Sequence, residues 1–193
     1  MCGKDCYIIS RSSHTAVVNA FTKDVGTIEV PIVDALLVYE DEFTGKIYYL
    51  IARNVLYVES MEYFLLPPFV LREAGLTVNE RPKIHTDPEL VCSADHSIID
   101  PNSDLHIQME LCETFSTFQT RAPTISDTKR DDITVVLITP ESASWDPHSS
   151  HFGENERAMI HSSYEHTSIE PSEKELFDDE FTTEELDHLN RKI

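Results

Sequence analysis

Three sets of residues in this chain have the types, though not all the spacing, that chemistry requires. His148, His151, His161 and His166 lie close to Glu154, Glu156 and Glu165, a mixture of imidazole and carboxylate that divalent metals favour. Their spacing fits no zinc pattern, and the segment has little apolar content with which to shape and orient a coordination shell. No metal and no other cofactor is expected. Asp95-His96-Ser97 holds the three side chains of a nucleophilic triad, but adjacent residues on an extended chain point to opposite faces and cannot converge. Cys2, Cys6, Cys92 and Cys112 make neither a CxxC pair nor a zinc-ribbon spacing. The two near the terminus are open to acylation; reduced, partly buried thiols are the simpler reading. Tyr63, Phe64, Phe115 and Phe118 contain enough ring surface for stacking a ligand, and are read instead as core aromatics.

The elements that must position any site fall into two regimes. The chain has 193 residues, 40% hydrophobic, enough for one ordinary domain and a tail. Residues 1–139 are rich in β-branched and aromatic side chains; residues 140–193 are polar and acidic. The net charge of −20 repels nucleic-acid phosphates, and the densest basic spots, Lys129-Arg130 and Arg191-Lys192, are two residues long, so nucleic acid is not an expected partner. No apolar run approaches the ~20 residues of a membrane helix, and the first ten residues do not read as a secretory signal. An intracellular, cytoplasmic protein without membrane contact is expected.

Within residues 1–139, short strands are expected at 7–10 and 15–21. A longer hairpin follows, with arms at 27–39 and 46–58 joined through Phe43-Thr44-Gly45. Pro31 interrupts its first arm and belongs at an edge or bulge. Pro67-Pro68 and Gly75 bracket a helix at 69–74, with proline at its start and glycine past its end. Short strands are expected at 76–78, 83–85, 97–99, 105–109, 115–119 and 133–139. Many short strands and one short helix imply an all-β fold, a small barrel or sandwich. In the tail, Ser172-Glu173-Lys174-Glu175 and Thr182-Thr183-Glu184-Glu185 fit capping boxes, with Leu186, Leu189 and Ile193 on one face. So acidic a tail is expected to be mostly disordered, with a short C-terminal helix, and to serve as a linker. An interaction tail for a basic partner is the rival reading.

Arg53-Asn54-Val55-Leu56-Tyr57-Val58, followed by Leu65-Leu66 and by Leu71 to Gly75, resembles the protease region of copia-type LTR retrotransposons. There an "NVLYVP" strand leads to "NLLS", a short helix and a glycine. Glu59 stands here at the usual proline, and Phe64 at the asparagine. Val30-Pro31-Ile32-Val33-Asp34-Ala35, the Leu65-to-Asn79 block and Phe118-Gln119-Thr120-Arg121-Ala122-Pro123-Thr124 resemble blocks of polyproteins from eukaryotic microbes, in the same order, over roughly residues 3–160. The resemblance implies a retropepsin-like closed barrel, incomplete at its N-terminus. It also implies a flap formed by the hairpin at 27–58 and a hydrophobic pair behind the catalytic loop at Leu65-Leu66. Tyr39, Phe43, Gly45, Leu65 and Leu66 are accordingly expected to face substrate. Pro67 replaces a glycine that commonly follows the pair, and proline lacks glycine's freedom at positive φ.

Retropepsins carry one Asp-(Ser/Thr)-Gly loop per subunit and pair two by dimerising, so that two carboxylates share a proton and activate a water. In the similar subgroup, the corresponding motif sits just before a "GK" that Gly3-Lys4 matches, so the catalytic aspartate is expected upstream of Met1 or missing from the gene. Asp24-Val25-Gly26 is the single Asp-x-Gly here. Its valine lacks the hydroxyl that links the two loops, and it is read as a surface turn. No residue of the chain is assigned as catalytic. Two functions stand against each other: a fragment of a retrotransposon polyprotein whose parent is an aspartic endopeptidase, inactive as it stands, and a non-enzymatic interaction protein using the barrel groove or the acidic tail. On the first, a polypeptide substrate is expected only if the aspartate is supplied, with homodimerisation as the route to a dyad.

Overall fold

The computed structural model describes residues 1–19, 26–141, 146 and 149–166. The chain divides into two compact units between His148 and Ser149, nine residues beyond the composition boundary. The first contains β1 (Tyr7–Asn19), β2 (Thr27–Glu40), β3 (Ile47–Leu56), α1 (Pro68–Glu73), β4 (Thr77–Asn79), β5 (Ser97–Ile99), β6 (His106–Gln108), β7 (Glu110–Cys112), β8 (Phe115–Thr117) and β9 (Thr134–Leu137). The described part of the second is α2 (His151–His166).

The first unit is mostly β. Its strands form sheets in the orders β1-β2-β3-β9, β4-β5-β6 and β7-β8. The all-β expectation stands in this coarse form, but the described strands do not join into a closed barrel. The four- and three-stranded sheets share one core: Leu37, Tyr48 and Leu50 of the first are buried with Val78, Ile98 and Ile107 of the second. Burying inward-facing side chains between two sheets supplies most of the driving force, at ~25 cal/mol per Å² of apolar area.

Three local features shape the large sheet. β1 is one strand rather than the two expected, because Ser12-Ser13-His14 bulges out between the Arg11–Val33 and Thr15–Pro31 pairs. Pro31 faces the end of that bulge, so the amide it lacks breaks no regular ladder. In β3 the register slips by one residue between Val55, opposite Val33, and Ala52, opposite Ala35. Asn54 takes a left-handed conformation there (φ 52°), which asparagine tolerates far better than β-branched residues. Asp34 holds the bulge: its carboxylate accepts from the Asn54 amide at 3.0 Å and from Ser10 Oγ at 3.0 Å. The β2–β3 turn is wound on Asp41, whose carboxylate accepts from Phe43 N, Thr44 N and Thr44 Oγ1, while Gly45 supplies φ +68°. Burial opposes ionisation of Asp41, but the bonds from Thr44 and Phe43 outweigh it and hold the carboxyl below its ordinary range.

α1 ends as the Pro/Gly bracket predicts. Gly75 N donates to Arg72 O and Leu76 N to Leu71 O, the paired bonds of a Schellman stop. Pro67 sits in ordinary extended backbone at φ −64°, so no glycine is needed there. Residues 83–85, expected as a strand, form a 3-10 turn after Pro82. The one large apolar side chain there, Ile84, is exposed, and nothing rewards extended pairing. Among the expected core aromatics, Phe64 and Phe118 pack against the core, while Tyr63 and Phe115 are exposed.

α2 lies in the segment read as mostly disordered. Ser149 Oγ accepts from His151 N at 3.2 Å and Ser150 Oγ donates to Glu154, a capped start. Its described side chains are almost all exposed. The capping boxes at Ser172 and Thr182, with Leu186, Leu189 and Ile193, lie outside the described residues, as do Phe21 and Asp24.

Candidate functional site

Register decides which ends of the strands lie together. Asn19 faces Thr27 at the turn end of the β1–β2 hairpin. In the next pair, Ile32 faces Leu56, the last residue of β3. The β1–β2 hairpin therefore runs five residues past the end of β3, an overhang of ~17 Å at ~3.3 Å per residue. Its inner face carries a second apolar cluster, Ala16, Val18, Val30 and Ile32 against Leu56 and Val58.

At this same end, the first residues of the chain are inserted between two others. Cys2 N donates to Leu56 O and Val58 N to Cys2 O, both at 2.8 Å. Leu65 N donates to Met1 O at 2.9 Å, and the Met1 amine to Leu65 O at 2.9 Å. Burial pushes that amine below its ordinary range. Gly3 lies so close to the Met61 carbonyl that a β-carbon would fall 2.0 Å from its oxygen. Here glycine is required by contact, not by φ.

The five residues expected to face substrate are not brought together. Phe43 (87% exposed) and Gly45 are in the β2–β3 turn. Leu65 (51% exposed) is bonded to Met1 at the other end of β3, about ten residues or ~30 Å of strand away. Tyr39 is buried in the core, with ring centroids 6.1 Å from Tyr48 and 6.2 Å from Phe118. Leu66 packs against the same core. The β2–β3 turn and Leu65-Leu66 therefore lie at opposite ends of β3, and the β1–β2 hairpin extends past β3 at the Leu56 end. Alternating apolar residues mark strands without saying which end of a sheet a turn occupies.

A structural strap was also missed. Beyond the Tyr7–Leu36 pair, β1 no longer covers β2, and residue 121 takes its place: Val38 N donates to Arg121 O at 2.8 Å, and Arg121 N to Val38 O at 3.0 Å. The strap is pinned by buried Asp127, which accepts from Arg121 Nη1 and Nη2 at 2.6 and 2.9 Å and from Thr124 N and Oγ1 at 2.6 and 2.8 Å. The Arg121 guanidinium, outweighing burial, holds this carboxyl far below its ordinary range. The polar, turn-rich composition of residues 121–132 hid the function of this segment as a cover for an open sheet edge.

Rival constellations do not assemble. Asp95 accepts from Cys92 N and Ser97 Oγ donates to Ala94 O, so neither reaches His96. His96, in left-handed backbone at φ 53°, lies 2.8 Å from Ser116 Oγ instead. Burial, with Lys83 adding to it, pushes His96 below its ordinary range. Among the described residues no three metal-ligating side chains gather, and His151 contacts Asn155; His148 is outside the described residues. A cavity of about 320 Å³ between α1 and β9 is rimmed by Glu73, Asp100 and Glu141, but Asp100 already accepts from Asn102 N and Ser103 Oγ. No described helix is long and apolar enough to cross a membrane. No protein-family model matches this chain, and neither a curated protein nor a solved structure does.

Proposed function

We propose that this chain is the body of a retropepsin-like domain from a copia-type retrotransposon polyprotein, and that its parent is an aspartic endopeptidase. The catalytic aspartate is contributed by residues upstream of Met1, so the chain alone does not hydrolyse peptides. The observation that carries this reading is the insertion of Met1-Cys2 between Leu56 and Leu65. A chain extended upstream from Met1 would leave beside Leu65, which supports reading Leu65-Leu66 as the hydrophobic pair behind a catalytic loop. The overhanging β1–β2 hairpin, with its apolar inner face, is the better flap. The role first given to the hairpin at 27–58 and to Phe43 and Gly45 passes to it.

The chemistry follows from the missing group. A dyad needs two carboxylates sharing one proton, with a water between them. One aspartate per chain makes the active form a homodimer. Without the dyad the general-base contribution of ~10²–10⁴ in rate and the positioned water are both lost. The test is to express the chain as it stands and with its native upstream residues, and to assay cleavage of the surrounding polyprotein. Cleavage only by the extended form, abolished when the upstream aspartate becomes asparagine, is the expected result. Equal activity of both forms, or activity lost on Asp24→Asn, refutes it.

A further inference from the structure

We propose that the free edge of β9 receives an extended, basic polypeptide segment as an added strand. β9 ends the order β1-β2-β3-β9 and runs parallel to β3. Among the described residues, no strand pairs with its other edge. Ile51 pairs with Leu137 and accepts from Ile138 N at 2.9 Å. In a parallel ladder such a residue bonds to the two that flank its partner, so Val136 and Ile138 face β3. The amides and carbonyls of Val135 and Leu137 therefore point to the free side, about 7 Å apart. Val135 is 59% exposed. An edge of this kind is a template on which a further strand can form.

The same edge lines the cavity between α1 and β9, and the charges there select the partner. Val135 and Leu137 share that cavity with Leu76, which follows α1, and with the carboxylates of Glu73, Asp100 and Glu141. Asp100 is only 9% exposed. The bonds it accepts from Asn102 N and Ser103 Oγ fix the carboxylate in place but bring it no positive charge. Among the described residues, no lysine or arginine forms an ion pair with Glu73 or Asp100. A buried carboxylate without a counter-charge is costly, and a cationic side chain entering the cavity offsets that cost. A second copy is the wrong occupant, because pairing edge to edge would set this acidic rim against itself in a chain of net charge −20. Because the side chains of a strand alternate, basic residues at every second position of the incoming segment fall on one face and can gather at the rim. The inference uses neither Met1 nor Leu65-Leu66 and is independent of the proteolytic reading.

The experiment titrates the full chain with a short peptide alternating lysine and valine, and follows binding by calorimetry and amide hydrogen exchange. Binding that weakens with salt and slows exchange of the Val135 and Leu137 amides is expected. The same peptide is N-methylated on its valines and, separately, on its lysines; at least one of the two should bind about tenfold more weakly, for want of backbone donors. A peptide alternating glutamate and valine should not bind. Glu73→Gln should weaken binding severalfold, as should Val135→Pro, which removes one outward amide and no bond to β3; circular dichroism establishes that each variant is folded. The methylated peptides decide the matter on the unaltered chain should Val135→Pro fail to fold. Absence of binding overturns the proposal. So does equal binding of both methylated forms and the parent, which would be adhesion by charge alone, or protection of amides elsewhere than β9.

Discussion

Removing the carboxylate of Asp127 should release the strap that covers β2. In Asp127→Ala, four hydrogen bonds disappear, two from the Arg121 guanidinium and two from Thr124. Bonds to a charged group contribute ~1.5–3 kcal/mol each when buried. The Arg121 side chain is 37% exposed, so water recovers much of its share, and exposed pairs contribute only ~0–1 kcal/mol. A net loss of ~2–4 kcal/mol follows, much of the ~5–15 kcal/mol that holds a domain together. Asp127→Asn, which keeps one acceptor oxygen, should lose about half of that. Urea unfolding followed by circular dichroism at neutral pH measures both. The sign with pH is fixed by the direction of the shift. The native carboxyl is depressed, so its stabilisation is present above the unfolded value of ~3.9 and drains as pH falls below it. The gap between native protein and Asp127→Ala must therefore shrink in acid. A variant within ~0.5 kcal/mol of the native protein, the ordinary range of a neutral surface substitution, refutes the strap. A gap that does not shrink in acid refutes the charge argument.

Two further substitutions test the sheet. Asn54→Gly should be tolerated, whereas Asn54→Val, which forces a β-branched residue to positive φ, should destabilise by ~1–3 kcal/mol in the same unfolding assay. Equal stability of the two would mean that the bulge does not need its left-handed residue. Tyr48 is buried and donates to the Asp104 carbonyl and carboxylate at 3.3 and 3.2 Å. Burial first and Asp104 second push its phenol up to about 12. A raised native value means stability that is full below the unfolded value of ~10 and falls as pH climbs from there toward 12. Tyr48→Phe should lose ~0.5–1.5 kcal/mol at neutral pH and flatten that alkaline decline; tyrosinate absorbance on unfolding is the readout.

The parts of the fold legible in the sequence are those where local chemistry has one solution. The β2–β3 hairpin announces itself through two long apolar runs around Phe43-Thr44-Gly45, and α1 through Pro67-Pro68 and Gly75. What escaped depends on distant partners. Ser12-Ser13-His14 splits β1 by composition but only bulges it. Glu110–Cys112 pairs as β7 with every residue exposed, leaving no alternation to detect. α2 is polar on nearly all sides and has no apolar stripe to reveal it. The separation of Phe43 from Leu65 was hidden for the same reason: strand periodicity is local, whereas the end of the sheet at which each lies follows from register. The strap contact at Arg121 has no local signal either. Asn54 and Asp34, by contrast, sit in the blocks that carry the family resemblance, and their bulge is a physical reason for those residue types.

The central claim is that the catalytic aspartate belongs just upstream of Met1, beside Leu65-Leu66. The most direct measurement maps the 5′ end of the transcript and reads the genomic DNA upstream of Met1 in the same frame. The account predicts an open frame encoding an Asp-(Ser/Thr)-x-Ala motif shortly before Met1, within the transcript. A stop codon directly upstream, with the transcript beginning at Met1, would contradict it and leave binding as the remaining function.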